Sequence, residues 1–159
     1  MRRHFKIDIA WFFPRHEAVE ALERAKGMYS FRESLENRRE CCGIRKVEPL
    51  GRALRELKAW ITGMRREQSM TRASIAPVEA DAGHGGIAKL NPLADWTVDD
   101  VWKYVRDGNL PYNRLHDHDY PSIGCAPCTR AVKAGEDPRA GRWWWEREDH
   151  KECGLHFSI

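Results

Sequence analysis

The sequence lacks any run of the roughly 18 consecutive apolar residues that a membrane-spanning helix needs. A mean hydropathy of -0.70 and 32% charged residues agree with that absence. The basic start, Met1 to Lys6, is followed by Ile7-Asp8-Ile9. The acid interrupts the apolar core that a secretion signal requires. We therefore expect a cytoplasmic protein that has no membrane partner.

A strong net charge is also missing. The formal charge is +3, far below the basic footprint of a nucleic-acid-binding domain, so no nucleic-acid partner is predicted. There is no internal repeat and no low-complexity tract, and 159 residues fit one domain. The cations are 19 Arg and 8 Lys. The planar fork of Arg suits sulfate or phosphate oxygens, although most of these residues are expected to be solvated.

The spacing of apolar residues predicts one mixed α/β unit. Helices are expected where apolar residues recur at three and four positions, and strands where they alternate or form short runs. The predicted helices cover residues 17–26, 50–64 and 98–105, with Gly27 and Gly108 as stops and Thr97 as a cap. The predicted strands cover residues 7–13, 75–78 and 87–90, the last two around a glycine-rich turn.

Five cysteines are an odd number in a chain expected to stay in a reducing compartment, which argues against a disulfide framework. Cys125 and Cys128 form a C-x-x-C pair, which alone fits half of a zinc site, half of an iron–sulfur site or a redox dithiol. Cys41 and Cys42 are adjacent, so on a helix they point about 100° apart. A [4Fe–4S] cube spreads its irons widely enough for neighbours to ligate different corners, and the four thiolates match its count.

Several stretches of the chain, taken together, resemble assimilatory adenylylsulfate (APS) reductase. They are ECCGIRKVEPL at 40–50, AWITG at 59–63, YNRLHD at 112–117, SIGCAPCT at 122–129, GRWWWE at 141–146 and KECGLH at 151–156. The resemblance covers nearly the whole chain. Its most specific motifs are the two cysteine pairs together with the ECGLH tail.

The resemblance implies an enzyme that reduces APS to sulfite and releases AMP, with thioredoxin as electron donor and one [4Fe–4S] cluster. The cluster ligands would be Cys41, Cys42, Cys125 and Cys128. Related reductases that act on 3′-phosphorylated APS (PAPS) generally lack these pairs, so the pairs favour APS. The alternatives are a PAPS reductase and a non-catalytic fragment that binds an Fe–S cluster or zinc. A homo-oligomeric state is left open.

Cys153 is the nucleophile that the resemblance implies. Its thiolate would attack the sulfur of APS and expel AMP, leaving a thiosulfonate on the enzyme, and thioredoxin would then free sulfite by thiol exchange. A place near the chain end suits a group that must visit both substrate and donor. We expect residues 143–159 to form this flexible catalytic tail. Apart from the resemblance, a free surface cysteine without a role is the simpler interpretation.

Four cations match family positions that contact the phosphosulfate group, a task that suits charge-assisted donors. They are Lys46, Arg72, Arg139 and Arg142. Each could instead be a solvated surface cation. Arg45, Arg65, Arg66 and Gln68 are weaker candidates. On a regular α-helix Lys46 would share a face with Cys42, between an anionic cluster and an anionic substrate.

The implied fold is the parallel sheet of adenine-nucleotide alpha-hydrolase-like, PP-loop-related proteins. The Ser-Gly-Gly-type phosphate loop that follows the first strand of that fold does not occur in this sequence. The glycines at 83–86 are no substitute, because no helical pattern follows them. We therefore expect residues 1–159 to be a single domain that corresponds to the C-terminal portion of the enzyme, without the N-terminal phosphate-loop strands. Alone, it should bind AMP or APS poorly.

Overall fold

The computed structural model describes residues 1–147, which contain one mixed three-stranded sheet. Its strands are β1 (Ala59–Ile61), β2 (Val78–Asp81) and β3 (Ile87–Leu90), in the order β1-β3-β2. β1 pairs with β3 in parallel, whereas β2 pairs with β3 antiparallel. The α/β class is confirmed, but the expected parallel arrangement holds only for β1 and β3. The short connection from β2 to β3 is a hairpin turn, because a parallel crossover needs a dozen or more residues.

The helices lie before, between and after these strands. The α-helices are α1 (Arg2–Phe5), α2 (His16–Lys26), α3 (Leu35–Cys42), α4 (Glu48–Leu54) and α5 (Val98–Asp107). A π-helix, Gly43–Val47, joins α3 directly to α4. Single 3-10 turns occupy Ser30–Arg32, Arg66–Gln68, Met70–Arg72, Ala82–His84 and Ala126–Cys128, and a longer one covers Arg114–His118.

Two of the predicted helices, α2 and α5, are confirmed nearly to the residue. α2 ends at Gly27, whose φ of 85° is rarely adopted by residues that carry a Cβ atom. Thr97 caps α5: its hydroxyl accepts a hydrogen bond from the backbone N–H of Asp100, and the Asp100 carboxylate accepts one from the backbone N–H of Thr97. Thr97 is thus the cap that the sequence predicted, and Asp100 makes the cap reciprocal.

The predicted strand at 7–13 is wrong. Within residues 1–147 this segment pairs with no neighbouring strand, and Trp11 and Phe13 are 69% and 72% exposed. An alternating pattern produces a strand only where another strand satisfies its backbone groups. The predicted helix at 50–64 is right only as far as Leu54, where α4 ends. The chain then turns, and Ile61, which fits the helical spacing of apolar residues, lies in β1 instead.

Two small apolar clusters form the core of the described residues. One contains Met64, Ile75 and Ala94. The other contains Phe31, Cys128 and Trp143, with Cys41 and Trp145 packed against it. The second cluster therefore places Cys128 in the core, with Cys41 packed against it.

No helix formed by residues 1–147 combines the length and the apolar character that crossing a lipid bilayer would require.

Candidate functional site

The two cysteine pairs line one cavity of about 460 Å³. Cys41 and Cys42 come from the last turn of α3, and Cys125 and Cys128 come from the turn around Ala126–Cys128. Cys42 and Cys128 are buried, Cys41 is half-buried and Cys125 is exposed, and all four are free thiols. The structure thus brings together the four residues that the sequence grouped as one site.

The C-x-x-C turn is held by a short network of hydrogen bonds. The backbone N–H of Cys128 and the hydroxyl of Thr129 both donate to the carbonyl of Cys125, each at 2.9 Å. The same Thr129 hydroxyl accepts from the backbone N–H of Gly124 at 3.0 Å. Pro127 fits the first turn of this 3-10 helix because that position needs no N–H donor. These bonds fix both thiols of the pair on one turn.

The π-helix after the adjacent cysteines is a feature that the sequence did not predict. Ser34 caps α3: its hydroxyl accepts a hydrogen bond from the backbone N–H of Asn37 at 3.1 Å. Regular α geometry then gives way to the wider turn at Gly43–Val47. Such insertions are frequent at functional sites. The prediction that Lys46 shares a helix face with Cys42 assumed a regular α-helix, and the π-helix changes that spacing. Lys46 nevertheless lines the cavity.

Negative charge is costly in this cavity. Burial raises the pKa of Cys128 to about 11, and the neighbouring Cys125 adds to the effect while Lys46 opposes it. Burial also raises the pKa of Cys41. Thiolates here need nearby cations, which a metal group bound through sulfur would itself supply.

The cavity also contains a buried donor without an acceptor. Trp143 is 1% exposed and lines the cavity, and its indole Nε1–H has no hydrogen-bond partner among the described residues. A buried donor is normally satisfied, so this N–H is available to an acceptor that the described residues do not supply. Within residues 1–147, however, no three Cys, His, Asp or Glu side chains are close enough to share one metal ion. Tetrahedral zinc needs its ligands about 2.0–2.3 Å from a single centre, and the described side chains do not converge in that way.

An arginine contacts each of the adjacent cysteines, and a glutamate holds each arginine from its other side. Arg45 hydrogen-bonds Cys41, and its Nη2 donates to Glu23 of α2 at 2.5 Å. Glu23 also lines the cavity. This pair therefore connects Cys41 to α2.

The second of these pairs is buried. Arg38 hydrogen-bonds Cys42, and its Nε and Nη2 donate to the two carboxylate oxygens of Glu146 at 2.8 and 3.0 Å. The two side chains are 2% and 8% exposed. Burial alone would lower the pKa of Arg38, but Glu146 and Cys42 together keep that pKa above its ordinary value. Arg38 is therefore a charged residue in this environment.

The four predicted substrate-binding cations do not lie together on this cavity. Lys46 lines it, and Arg142 is near enough for its charge to lower the pKa of Cys128. Arg142 is 8% exposed, with its guanidinium 4.5 Å from the centre of the Trp143 ring. Arg72 is equally buried and donates to Gln68 at 2.5 Å, in a different segment. Neither Arg72 nor Arg139 is among the residues that line the cysteine cavity.

Cys153 and the rest of the predicted tail beyond residue 147 lie outside the described residues. The first part of that predicted tail is packed against the body of the protein. Trp143 donates its backbone N–H to the carbonyl of Cys128 at 3.1 Å, and Glu146 forms the buried pair with Arg38.

Sequence reasoning missed Arg38, Glu146 and Trp143 as parts of the site. Arg38 precedes Cys42 by four positions on α3, a spacing that places two side chains on one helix face and could have indicated it. Glu146 has no comparable local signal, because its partner lies 108 positions away.

Gly141 allows a close approach of two chain segments, which yields a first prediction. A Cβ at Gly141 would lie 2.3 Å from the carbonyl oxygen of Arg130, beside the bridge between Thr129 and Arg142. Since a backbone atom must move, Gly141→Ala is expected to lower the free energy of unfolding by ~1–3 kcal/mol. Gly51→Ala, in α4 with open space around the new methyl group, should raise it by ~0.5–1 kcal/mol. Urea unfolding measures both, and equal midpoints would contradict the close approach.

Comparison with known proteins places this site in context. The phosphoadenosine phosphosulfate reductase domain matches residues 1–131. An adenosine 5′-phosphosulfate reductase of Burkholderia cepacia is 54% identical over 158 residues, which are 99% of this chain and 63% of that protein. One of Allochromatium vinosum is 50% identical over 98% of this chain and 60% of its own length. The chain thus spans about 60% of the length of these two relatives.

Another relative is shorter. The adenosine 5′-phosphosulfate reductase of Rhizobium tropici is 48% identical over 152 residues, which are 96% of this chain and 84% of that protein. Among solved structures, the phosphoadenylyl-sulfate (PAPS) reductase from Candida auris in its phosphate complex superposes with a TM-score of 0.52. That match has 33% sequence identity and covers 66% of this chain and 48% of the other.

Proposed function

This chain belongs to the phosphoadenosine phosphosulfate reductase family, and we propose that it carries the catalytic part of a thioredoxin-dependent APS reductase. The family resemblance predicted from the motifs is thereby confirmed. The proposed reaction reduces APS to sulfite and AMP during sulfate assimilation. The observation that carries the proposal is the ring of Cys41, Cys42, Cys125 and Cys128 around one cavity.

These four thiols are proposed to hold a [4Fe–4S] cluster. Support comes from their number, which matches the four corners of such a cluster, and from the single cavity that all four line. The Trp143 indole N–H, which has no partner among the described residues, would donate to a cluster sulfur. When bound, the cluster would bring a fixed charge and would tie α3 to the C-x-x-C turn. Lys46, Arg38 and Arg45 would balance that charge from the protein side.

Cys153 is proposed to perform the covalent chemistry. Its thiolate attacks the sulfur of APS, an S–S bond forms, and the S–O bond to the phosphate of AMP breaks. A thiolate of reduced thioredoxin then attacks the Cys153 sulfur and releases sulfite, which leaves a mixed disulfide. The second thiol of the donor resolves that disulfide and frees Cys153. The donor loses two electrons and ends as a disulfide, so electrons balance.

Lys46 is proposed to separate two negative groups. It lines the cysteine cavity, and its charge already lowers the pKa of Cys128. An anionic cluster would repel the anionic phosphosulfate, and an ammonium between them offsets that repulsion. At an effective dielectric of about 20, a charge pair 4 Å apart interacts by ~4 kcal/mol before desolvation. Arg72, Arg139 and Arg142 are proposed as further contacts to the substrate oxygens.

Replacing Lys46 gives a direct test of this role. Lys46→Ala is expected to keep its iron and to lose at least ~10-fold in kcat/KM, a cost of ~1.4 kcal/mol in transition-state stabilisation. Lys103→Ala is the matched control, because Lys103 is 72% exposed and pairs with Asp107 on α5. Sulfite release and iron content should be measured on the same preparations. Normal rates would show that Lys46 is a bystander, and loss of iron would make its role structural.

The function itself is best tested in a chimera, because this chain matches only 63% of the Burkholderia relative. The matched segment of that protein is replaced by residues 1–159, and sulfite and AMP are measured with APS or PAPS and reduced thioredoxin. We expect release from APS and a much slower reaction with PAPS. A chimera that contains iron but releases no sulfite would contradict the proposal, and faster turnover of PAPS would reverse the substrate assignment.

Two remaining expectations belong to the same proposal. Residues 1–159 alone should bind AMP or APS weakly in calorimetry, because the phosphate-loop sequence is absent from them. A cytoplasmic location is the second of them.

A further inference from the structure

A single buried guanidinium connects the cysteine site to the C-terminal segment Trp143–Glu146. Arg38 hydrogen-bonds Cys42 and makes a two-point contact with Glu146, at 2.8 and 3.0 Å. Its Cζ also lies 4.6 Å from the centre of the Trp143 ring. Cys42 lies at the end of α3, whereas Trp143 and Glu146 are buried residues close to the end of the described part of the chain.

Stability alone is a weak reason for this arrangement. An arginine and a glutamate that are 2% and 8% exposed have given up most of their hydration, and an apolar pair of similar volume often stabilises a fold equally well. Arginine differs from an apolar residue in having several donors in a rigid fork, so that it can hold two acceptors in fixed directions. Here the two acceptors are the Cys42 sulfur and the Glu146 carboxylate.

We propose that Arg38 is a positioning residue that couples occupancy of the cysteine site to the docking of Trp143–Glu146. The proposal rests on the proposed function, because the occupant is the metal group held by Cys42 and its three companions. Occupancy of the site fixes the position of Cys42, and with it the Arg38 fork that contacts the Cys42 sulfur. An immobilised fork then binds Glu146 at a lower entropic cost. The start of the chain that leads to Cys153 is thereby set by the state of the cluster site.

The neighbouring Arg45–Glu23 pair provides the matched control. It contacts the adjacent cysteine, Cys41, in the same way, but its glutamate comes from α2. Disturbing this pair alters the environment of the cysteine site without touching Glu146.

The test is hydrogen–deuterium exchange of residues 143–147 in the full chain, under anaerobic conditions, before and after removal of the iron with a chelator. Because linkage is reciprocal, wild-type protein should exchange at least ~5-fold more slowly in this segment when loaded. Glu23→Gln should preserve that response. Arg38→Lys, which keeps the charge but not the fork, should lose most of it.

A second variant separates coupling from folding. The double replacement Arg38→Met with Glu146→Leu fills the same space with apolar side chains, so it should fold and load iron without any response in residues 143–147. If this variant responds as the wild type does, the proposal is wrong. A loaded wild type without a response overturns it as well. Iron content of the wild type separates failure of the coupling from failure of the proposed function. A wild type without iron counts against the cluster and therefore against both proposals. A wild type that contains iron but shows no response counts against the coupling alone.

Discussion

Serine in place of Cys42 or Cys128 is expected to leave the protein colourless, whereas anaerobically purified wild type should be brown and contain about four irons and four sulfides per chain. Both residues are buried and line the same cavity. Serine there removes one of the four proposed ligands, and the described residues contain no fifth cysteine that could take its place. Cys41→Ser and Cys125→Ser should give the same loss. Iron and sulfide analysis with the visible absorption spectrum measures the effect.

Two controls make this result interpretable. Cys153→Ser also removes one thiol, but it should keep the full iron content, because Cys153 is not among the four proposed ligands. Far-ultraviolet circular dichroism should show whether each variant retains the helices that carry the site. A colourless wild type with one zinc per chain would contradict the cluster and favour the single-ion interpretation of the C-x-x-C pair.

Local signals explain which parts of the fold could be predicted. α5 has a side-chain cap at Thr97, and α2 and α5 both end at a glycine, so their bounds follow from nearby residues alone. The apolar residues from Leu50 to Met64 recur with equally regular helical spacing. Part of this segment nevertheless forms β1, because the backbone of β3 pairs with it. A strand depends on a neighbour that is distant in sequence, and periodicity contains no information about that neighbour.

The same distinction applies to the site. The four cysteines could be grouped from the sequence because their chemistry and spacing are distinctive, and they do surround one cavity. The π-turn after Cys42 could not be predicted, because Gly43–Val47 is also compatible with a regular helix. The Arg38–Glu146 pair joins positions 108 residues apart, with the Trp143 ring beside Arg38, so no local pattern in the sequence indicates it.

Serine at position 153 is expected to reduce sulfite release from APS by at least ~10³-fold in the chimera, the scale of loss when a covalent nucleophile is removed. A hydroxyl is far less nucleophilic than a thiolate at neutral pH, and its sulfate ester could not be reduced by thiol exchange. Quenched-flow or steady-state assays measure the rate. Mass spectrometry after addition of APS without donor should detect a sulfite adduct on wild type only.

The choice of Cys153 over the other thiols can be tested in the same experiment. The remaining four line the cavity and are proposed as ligands, so none is free to form the thiosulfonate while the cluster is bound. Ser158→Ala changes the same terminal segment without removing a thiol, and it should keep activity near the wild-type rate. An adduct on Cys125, the exposed member of the four, would move the nucleophile to the cavity. A Cys153→Ser chimera that retains its rate would do the same, and the four cysteines would then have to be interpreted as a redox-active group.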